Sequence, residues 1–160
     1  MSQVQRTEIV NGGIASTWEA LSIMGAVQDW HPNVARAEVL TERDSGVGAA
    51  RRVVFHDGNS AVERVIEESK EAFTKVEMTE SPMLKSAQIT ISIKERSADT
   101  TEVTFLIDYG VKYGPVGWLM DVGMLRRVFQ KVFTIALAGL SYHLETGDIV
   151  TDSVPARRAA

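Results

Sequence analysis

A long stretch near the C-terminus reads GPVGWLMDVGMLRRVFQKVFTIALAGLSYHLETG over residues 114–147. It contains no proline after Pro115, and at about 100° per residue its apolar side chains fall on one stripe of a helix. Pro115 suits the first helical turn, where its missing N–H costs nothing, and Gly147 suits the left-handed residue just past a helix end. We therefore predict one main helix over residues 115–146, about 45 Å long, with an apolar stripe of Trp118, Val122, Leu125, Phe129, Val132, Phe133, Ala136, Leu140 and Leu144.

A helix this apolar has to be buried against another surface, and we predict that the preceding residues form that surface. A first strand is predicted over residues 4–10, followed by two short helices. The first helix is capped by Ser16 or Thr17, and the second ends before Pro32 because a proline disfavours helical geometry in the residue before it. Six further strands follow, separated by turn signals, over residues 34–42, 49–56, 60–68, 72–79, 86–96 and 100–112.

The connections between these strands are short, which favours an antiparallel meander. The last strand shows the alternation most clearly, since Val103, Phe105, Ile107 and Tyr109 alternate with mostly polar residues. A sheet with one apolar face, together with one long apolar helix, predicts an α+β fold in which seven strands curl around the C-terminal helix.

Length and composition indicate one globular domain over residues 1–147, with a flexible tail over 148–160. The net charge of −4 argues against a nucleic-acid partner. Arg126, Arg127 and Lys131 come nearest to a basic cluster, and we interpret them as a solvated helix face. No apolar run is long enough for a membrane span and no signal peptide is recognised, so we expect a cytoplasmic protein.

The hairpin around residues 49–68 contains an acidic and a basic residue whose orientation depends on its turn. A two-residue Asp57-Gly58 turn would place Arg52 opposite Glu63, whereas a three-residue turn with Gly58 left-handed would place Arg51 there. We favour the second, because it turns Arg51 and Glu63 inward with their apolar neighbours and keeps Arg51 from facing Arg64. The pair then either anchors the polar end of a ligand or is a structural ion pair.

Several short motifs accompany this order of elements. They are Trp30 before His31-Pro32, Gly46-Val47-Gly48 followed by Arg51, Asp57-Gly58, Glu63 in the next strand, and Ala138-Gly139-Leu140 with His143-Leu144-Glu145. Over residues 3–147 the chain resembles the START-like helix-grip superfamily of polyketide cyclase-related and birch-pollen-allergen-like proteins. The resemblance implies a cavity between sheet and helix that binds an apolar small molecule.

Candidate site residues follow from these patterns and from the resemblance. We expect the ligand to contact Trp30, Phe55, Glu63, Phe105, Tyr109, Trp118, Leu125 and Phe129. The candidates for acid–base chemistry are Glu63, Arg51, Tyr109 and His31, and each also has a purely structural interpretation: an ion pair, a cavity-wall tyrosine or a solvated histidine.

Two main functions remain open from the sequence. The first is a carrier or sensor of an apolar or aromatic small molecule, and the second is an enzyme of the polyketide cyclase/dehydratase type. A protein-interaction partner without a small ligand is a third. The three histidines lack metal-ligand spacing, so we expect neither a metal nor a cofactor. The sequence leaves open whether the chain forms a homodimer.

Overall fold

The computed structural model describes residues 2–153, apart from the side chains of Met120 and Val122. Seven antiparallel strands form one sheet in the order β1-β7-β6-β5-β4-β3-β2. The helix-grip α+β class predicted from the sequence is confirmed. The strands are β1 (Ser2–Val10), β2 (Val34–Val39), β3 (Ala50–Phe55), β4 (Ser60–Ser69), β5 (Phe73–Thr79), β6 (Leu84–Ser97) and β7 (Thr100–Val111).

Two short helices connect β1 to β2. They are α1 (Ile14–Ser22) and α2 (Val27–Trp30), joined by a 3-10 turn over Met24–Ala26. The expected cap at Ser16 or Thr17 is wrong, because α1 begins earlier, at Ile14, with Gly13 as its N-cap. The two hydroxyls donate instead to the carbonyls of Gly13 and Gly12.

The C-terminal helical element has three parts, α3 (Gly114–Met120), a π-helical segment (Asp121–Leu125) and α4 (Arg126–Thr146). Its predicted ends are confirmed, since Pro115 lies in the first turn and Gly147 follows the last turn with a φ of 76°. The prediction of one regular helix is wrong in the middle. The i→i+5 bonding of a π segment widens the turn, so residues before it are rotated away from the stripe that continues after it.

Trp118 shows the effect of this rotation. Its side chain is 61% exposed, although the regular helix places it on the buried stripe. From the last residue of the π segment onward the stripe is confirmed for Leu125, Phe133 and Ala136, which are buried. The side chain of Val122, also predicted on the stripe, lies outside the described residues.

The main core lies between the concave face of the sheet and α4. Val103, Phe105, Ile107 and Tyr109 are all buried, as their alternation predicts. Phe105 meets Phe133 of α4 edge-on with ring centroids 5.6 Å apart, and Tyr109 packs on Phe129 at 4.8 Å. The prediction that these strand residues face the long helix is confirmed.

The segment after α4 is held to α2 through Val150. Val150 is buried, and its N–H donates to the carbonyl of Asp29 at 2.9 Å. Residues 154–160 lie outside the described part of the chain, so the flexible tail remains a prediction there. Between residues 2 and 153, no helix combines the length and the apolar character needed to cross a bilayer.

Candidate functional site

A cavity of about 540 Å³ lies between the sheet, α2 and α4. Its volume falls within the range of about 300–1,000 Å³ that is usual for small-molecule sites. Aliphatic and aromatic side chains form most of the wall, and they include Val27, Trp30, Val34, Val53, Phe55, Ala61, Val76, Met78, Ile89, Ile91, Phe105, Ile107, Leu125, Phe129, Val132 and Phe133.

The loop between β3 and β4 places two charged side chains in this wall. Gly58 has a φ of 89°, and the N–H of Phe55 donates to the carbonyl of Asn59 at 2.8 Å. This hydrogen bond closes a turn of three residues, 56–58, and Arg51 lies opposite Glu63. The favoured three-residue turn is confirmed, since a left-handed Gly58 sets the register of the whole hairpin.

Arg51 and Glu63 form a buried ion pair. Nε of Arg51 donates to Oε2 of Glu63 at 2.7 Å, and Nη2 lies 2.6 Å from the same oxygen. Nη1 donates to the carbonyl of Met24 at 3.0 Å. The other carboxylate oxygen, Oε1, has no hydrogen-bond donor among residues 2–153, so Glu63 retains an acceptor in the cavity wall.

His31 lies in the same wall, at the end of α2. Its Nδ1 accepts a hydrogen bond from the N–H of Asn33 at 3.2 Å, so the neutral ring carries its proton on Nε2. Burial, and then the positive charge of Arg51, lower the pKa of His31 to about 4. At neutral pH this side chain is therefore an uncharged hydrogen-bond donor, and its ring stacks on Trp30 with centroids 5.6 Å apart.

Tyr109 is buried away from the cavity. Its hydroxyl donates to Oδ1 of Asp121, and the hydroxyl of Ser2 donates to Oδ2. Burial, and then the hydrogen bond to Asp121, raise the pKa of Tyr109 to about 12. The phenol is thus neutral and already has a partner, which is the structural interpretation considered for it from the sequence.

Six of the eight predicted ligand contacts lie in the cavity wall. Trp118 and Tyr109 do not, because the π segment turns Trp118 outward and Asp121 binds Tyr109. The six residues that the fold brings together are Trp30, Phe55, Glu63, Phe105, Leu125 and Phe129.

Sequence reasoning missed an acid that holds the helical element and two groups at the cavity. Asp121 is buried between Tyr109 and Ser2, and a single acid within an apolar helical stretch was the available signal. The carbonyl of Met24 and the exposed wall residue Met83 carried no local signal. Among residues 2–153, no three His, Cys, Asp or Glu side chains are arranged to hold a metal ion.

Comparisons with known proteins agree with this geometry. The model of a family described as "Polyketide cyclase / dehydrase and lipid transport" matches residues 1–145. No curated protein matches the sequence.

Solved structures share the fold at low sequence identity. A START superfamily protein from Mycobacterium smegmatis is 18% identical with a TM-score of 0.71, and the match covers 89% of this chain and 98% of that protein. The protein XoxI from Bacillus cereus is 17% identical with a TM-score of 0.72, and the match covers 91% of this chain and 97% of XoxI. The di-domain ARO/CYC BexL from the BE-7585A biosynthetic pathway is 15% identical with a TM-score of 0.74. That match covers 91% of this chain but 47% of BexL. At these identities the likeness shows the fold alone.

Proposed function

Since the chain belongs to the polyketide cyclase/dehydrase and lipid transport family, we propose that it binds one apolar or aromatic small molecule between the sheet and α4, as a carrier or sensor. The observation that carries this proposal is the cavity itself. It is mostly apolar, with a small number of polar groups in its wall, which is the usual composition of a small-molecule site.

The polar groups define what the ligand should offer. Toward a ligand, Oε1 of Glu63 is a hydrogen-bond acceptor and Nε2–H of His31 is a hydrogen-bond donor. A ligand with an apolar or aromatic body and a hydroxyl or carbonyl at one end would satisfy these groups, because a buried polar group without a partner is costly.

A filling variant tests whether the cavity is the binding site. Nile red, a neutral hydrophobic dye, should bind the native protein at one saturable site. Ala61 lies in the cavity wall, so Ala61→Phe should lower the affinity at least about tenfold by occupying the volume. Ala35, an exposed residue of β2, gives the matched control, and Ala35→Phe should bind as the wild type does.

The proposal fails if the dye binds only after partial unfolding, or if both variants bind equally well. Native mass spectrometry of protein purified from its own source provides a second test. It should show one copy of a small molecule per chain, and its mass would identify the ligand class.

A second candidate is an enzyme of the cyclase/dehydratase type, favoured by the presence of His31 and Glu63 in one cavity wall. General acid–base catalysis is most efficient when the pKa of the group lies near the working pH. The pKa of His31, about 4, makes it a weak base at neutral pH and leaves it a hydrogen-bond donor to a substrate carbonyl. A synthetic linear poly-β-ketone should then cyclise faster with the wild type than with His31→Phe. Equal rates would exclude this role.

A further inference from the structure

An apolar ridge runs along the outer face of the C-terminal helical element. We define it as Val116, Leu119, Met124 and Val128, all of which are exposed. Their spacings of three, five and four residues match α3, the π segment and α4 in turn, so the four side chains align on one face. Tyr113 and Trp118 of the same element are exposed as well, at 68% and 61%.

The apolar ridge adjoins the cavity mouth. Val128 is exposed and is also part of the cavity wall. Met83, in the loop before β6, has the same two properties. The outer apolar surface and the cavity interior are therefore continuous at these two side chains.

Within residues 112–131, the exposed charges have one sign. Residues 112–131 contain four basic side chains, Lys112, Arg126, Arg127 and Lys131, although the whole chain carries a net charge of −4. The one acid among them, Asp121, is buried and bonded to Tyr109 and Ser2. Arg127 and Lys131 each follow a ridge residue by three positions, which places them beside the ridge.

These basic groups are available to an outside partner. No ion pair within residues 2–153 involves Arg126, Arg127 or Lys131. Lys112 donates a hydrogen bond to the carbonyl of Ser81 and remains exposed.

We propose that the apolar ridge docks on the surface of a bilayer that contains anionic lipids. Helical faces that bind at a membrane surface combine exposed Trp and Leu with Lys and Arg, and Trp and Tyr favour the headgroup level. A face with this composition meets both the acyl boundary and the phosphate charge. Because the ridge adjoins the cavity mouth, docking would place that mouth against the lipid.

A second copy of this chain fits the apolar ridge less well. In a two-fold dimer the same patch meets itself, so the basic side chains beside the ridge would be brought near those of the second copy. Like charges brought together in this way oppose association, whereas an anionic surface attracts them.

Vesicle flotation of the full chain tests the proposal, and it requires no ligand in the cavity, so its result is separate from that of the dye experiment. Vesicles of phosphatidylcholine with phosphatidylglycerol should bind the protein, vesicles of phosphatidylcholine alone should bind it weakly, and added NaCl should release it. Reversing two charges, in Arg127→Glu with Lys131→Glu, should weaken binding at least about twentyfold. Leu119→Ser should also weaken it by removing apolar contact.

Matched controls lie on other surfaces. Val47→Ser removes an equally exposed apolar side chain, and Lys70→Glu with Lys94→Glu reverses two exposed charges. These variants should bind as the wild type does.

Tryptophan fluorescence gives a further readout. Trp118 is exposed, while Trp18 and Trp30 are buried. Docking should therefore shift tryptophan emission to the blue, and Trp118→Phe should abolish the shift.

Results of two kinds would overturn the proposal, from the vesicle experiments and from sedimentation. One is binding that the ridge variants and the controls reduce equally, or no binding to either kind of vesicle. The other is a dimer in sedimentation experiments that Leu119→Ser dissociates, which would assign the apolar ridge to a second copy of the chain.

Discussion

At the scale of single residues, the Arg51–Glu63 pair is the feature on which the interpretation of the cavity depends. The two side chains are buried and held by hydrogen bonds. In a buried ion pair of this kind, replacing one partner lowers stability more than replacing both, because the single substitution leaves a buried charge uncompensated. A structural ion pair and a ligand anchor therefore predict different results from the same variants.

We expect Glu63→Gln to lower the free energy of unfolding by about 2 kcal/mol, because the buried charge of Arg51 keeps neutral acceptors but loses its compensating carboxylate. The double variant Arg51→Met with Glu63→Leu should recover most of this loss in urea unfolding. Arg52 and Glu80, an exposed pair on the opposite face of β3, provide the control, and Glu80→Gln should change stability little. A loss of ligand binding in Glu63→Gln with unchanged stability would assign the pair to the ligand instead.

His31 should make stability depend on pH. Its pKa in the folded state is depressed from 6.5 to about 4, so its contribution is fully present above pH 6.5 and is lost as the pH falls toward 4. The loss would be up to about 3 kcal/mol. Urea unfolding between pH 7 and 4 should show a shallower decline for His31→Phe than for the wild type, and parallel curves would contradict the burial of this ring. The difference between the two curves isolates the contribution of His31 to the pH dependence of stability from that of the carboxylates that titrate in the same range.

At the scale of elements, the π segment decides which side chains of the C-terminal helix face inward. Its one acid, Asp121, is buried and accepts hydrogen bonds from β7 and β1, through Tyr109 and Ser2. These bonds join the helical element to the edge strand β1 and to β7, which pairs with it. The π segment is therefore connected to both strands through the side chain of Asp121.

Removing the Tyr109 hydroxyl should weaken this anchor. Among residues 2–153, Tyr109→Phe leaves the buried carboxylate of Asp121 with Ser2 as its one side-chain donor, at an expected cost of about 1–3 kcal/mol in urea unfolding. Tyr113, exposed in the same region, gives the matched control, and Tyr113→Phe should leave stability unchanged. Equal effects of the two variants would show that the hydrogen bond to Asp121 does not stabilise the fold.

The contact between α4 and α2 depends on a close approach at Gly139. A Cβ at this position would lie 2.2 Å from the carbonyl oxygen of Trp30 and 2.8 Å from Cδ of Pro32. Gly139→Ala should therefore lower stability by about 1–3 kcal/mol or more, since backbone has to move. A Cβ at Gly123 meets no atom within 4 Å, so Gly123→Ala should be neutral or stabilise the helix by up to about 1 kcal/mol. Thermal unfolding of the two variants measures the difference, and similar melting temperatures would contradict the close packing of α2 on α4.

At the scale of the whole molecule, the sheet and α4 enclose a core that is filled at one end and open at the other. Leu140 is fully buried in the filled part, whereas Phe129 packs on Tyr109 and also borders the cavity. Deleting a side chain costs most where it creates a new closed void.

We therefore expect Phe129→Ala to cost less than the ~3–5 kcal/mol usual for a buried phenylalanine, because it enlarges an existing cavity. Leu140→Ala should cost about 2–5 kcal/mol, the usual range for a packed leucine. Denaturant unfolding of both variants provides the measurement. A larger loss for Phe129→Ala than for Leu140→Ala would indicate that side chains fill the cavity.

The sequence alone determined the order of elements, and it favoured the register that the hairpin of β3 and β4 adopts. Alternation in β7 assigned Val103, Phe105, Ile107 and Tyr109 to the helix side, because a strand has a fixed period of two. The Gly58 turn paired Arg51 with Glu63 for a similarly local reason, since loop length sets hairpin register. Pro115 and Gly147 marked the helix ends through their own backbone preferences.

The tertiary structure alone decided the phase of the C-terminal helix and the empty volume behind it. The sequence argument assumed about 100° per residue throughout, and Trp118 consequently came out on the wrong face. Asp121 accepts hydrogen bonds from residues 12 and 119 positions away, and no local pattern reports such distant partners. The size of the cavity depends likewise on how closely the sheet and the helix approach each other, because that distance is a sum over packing contacts between residues far apart in the chain.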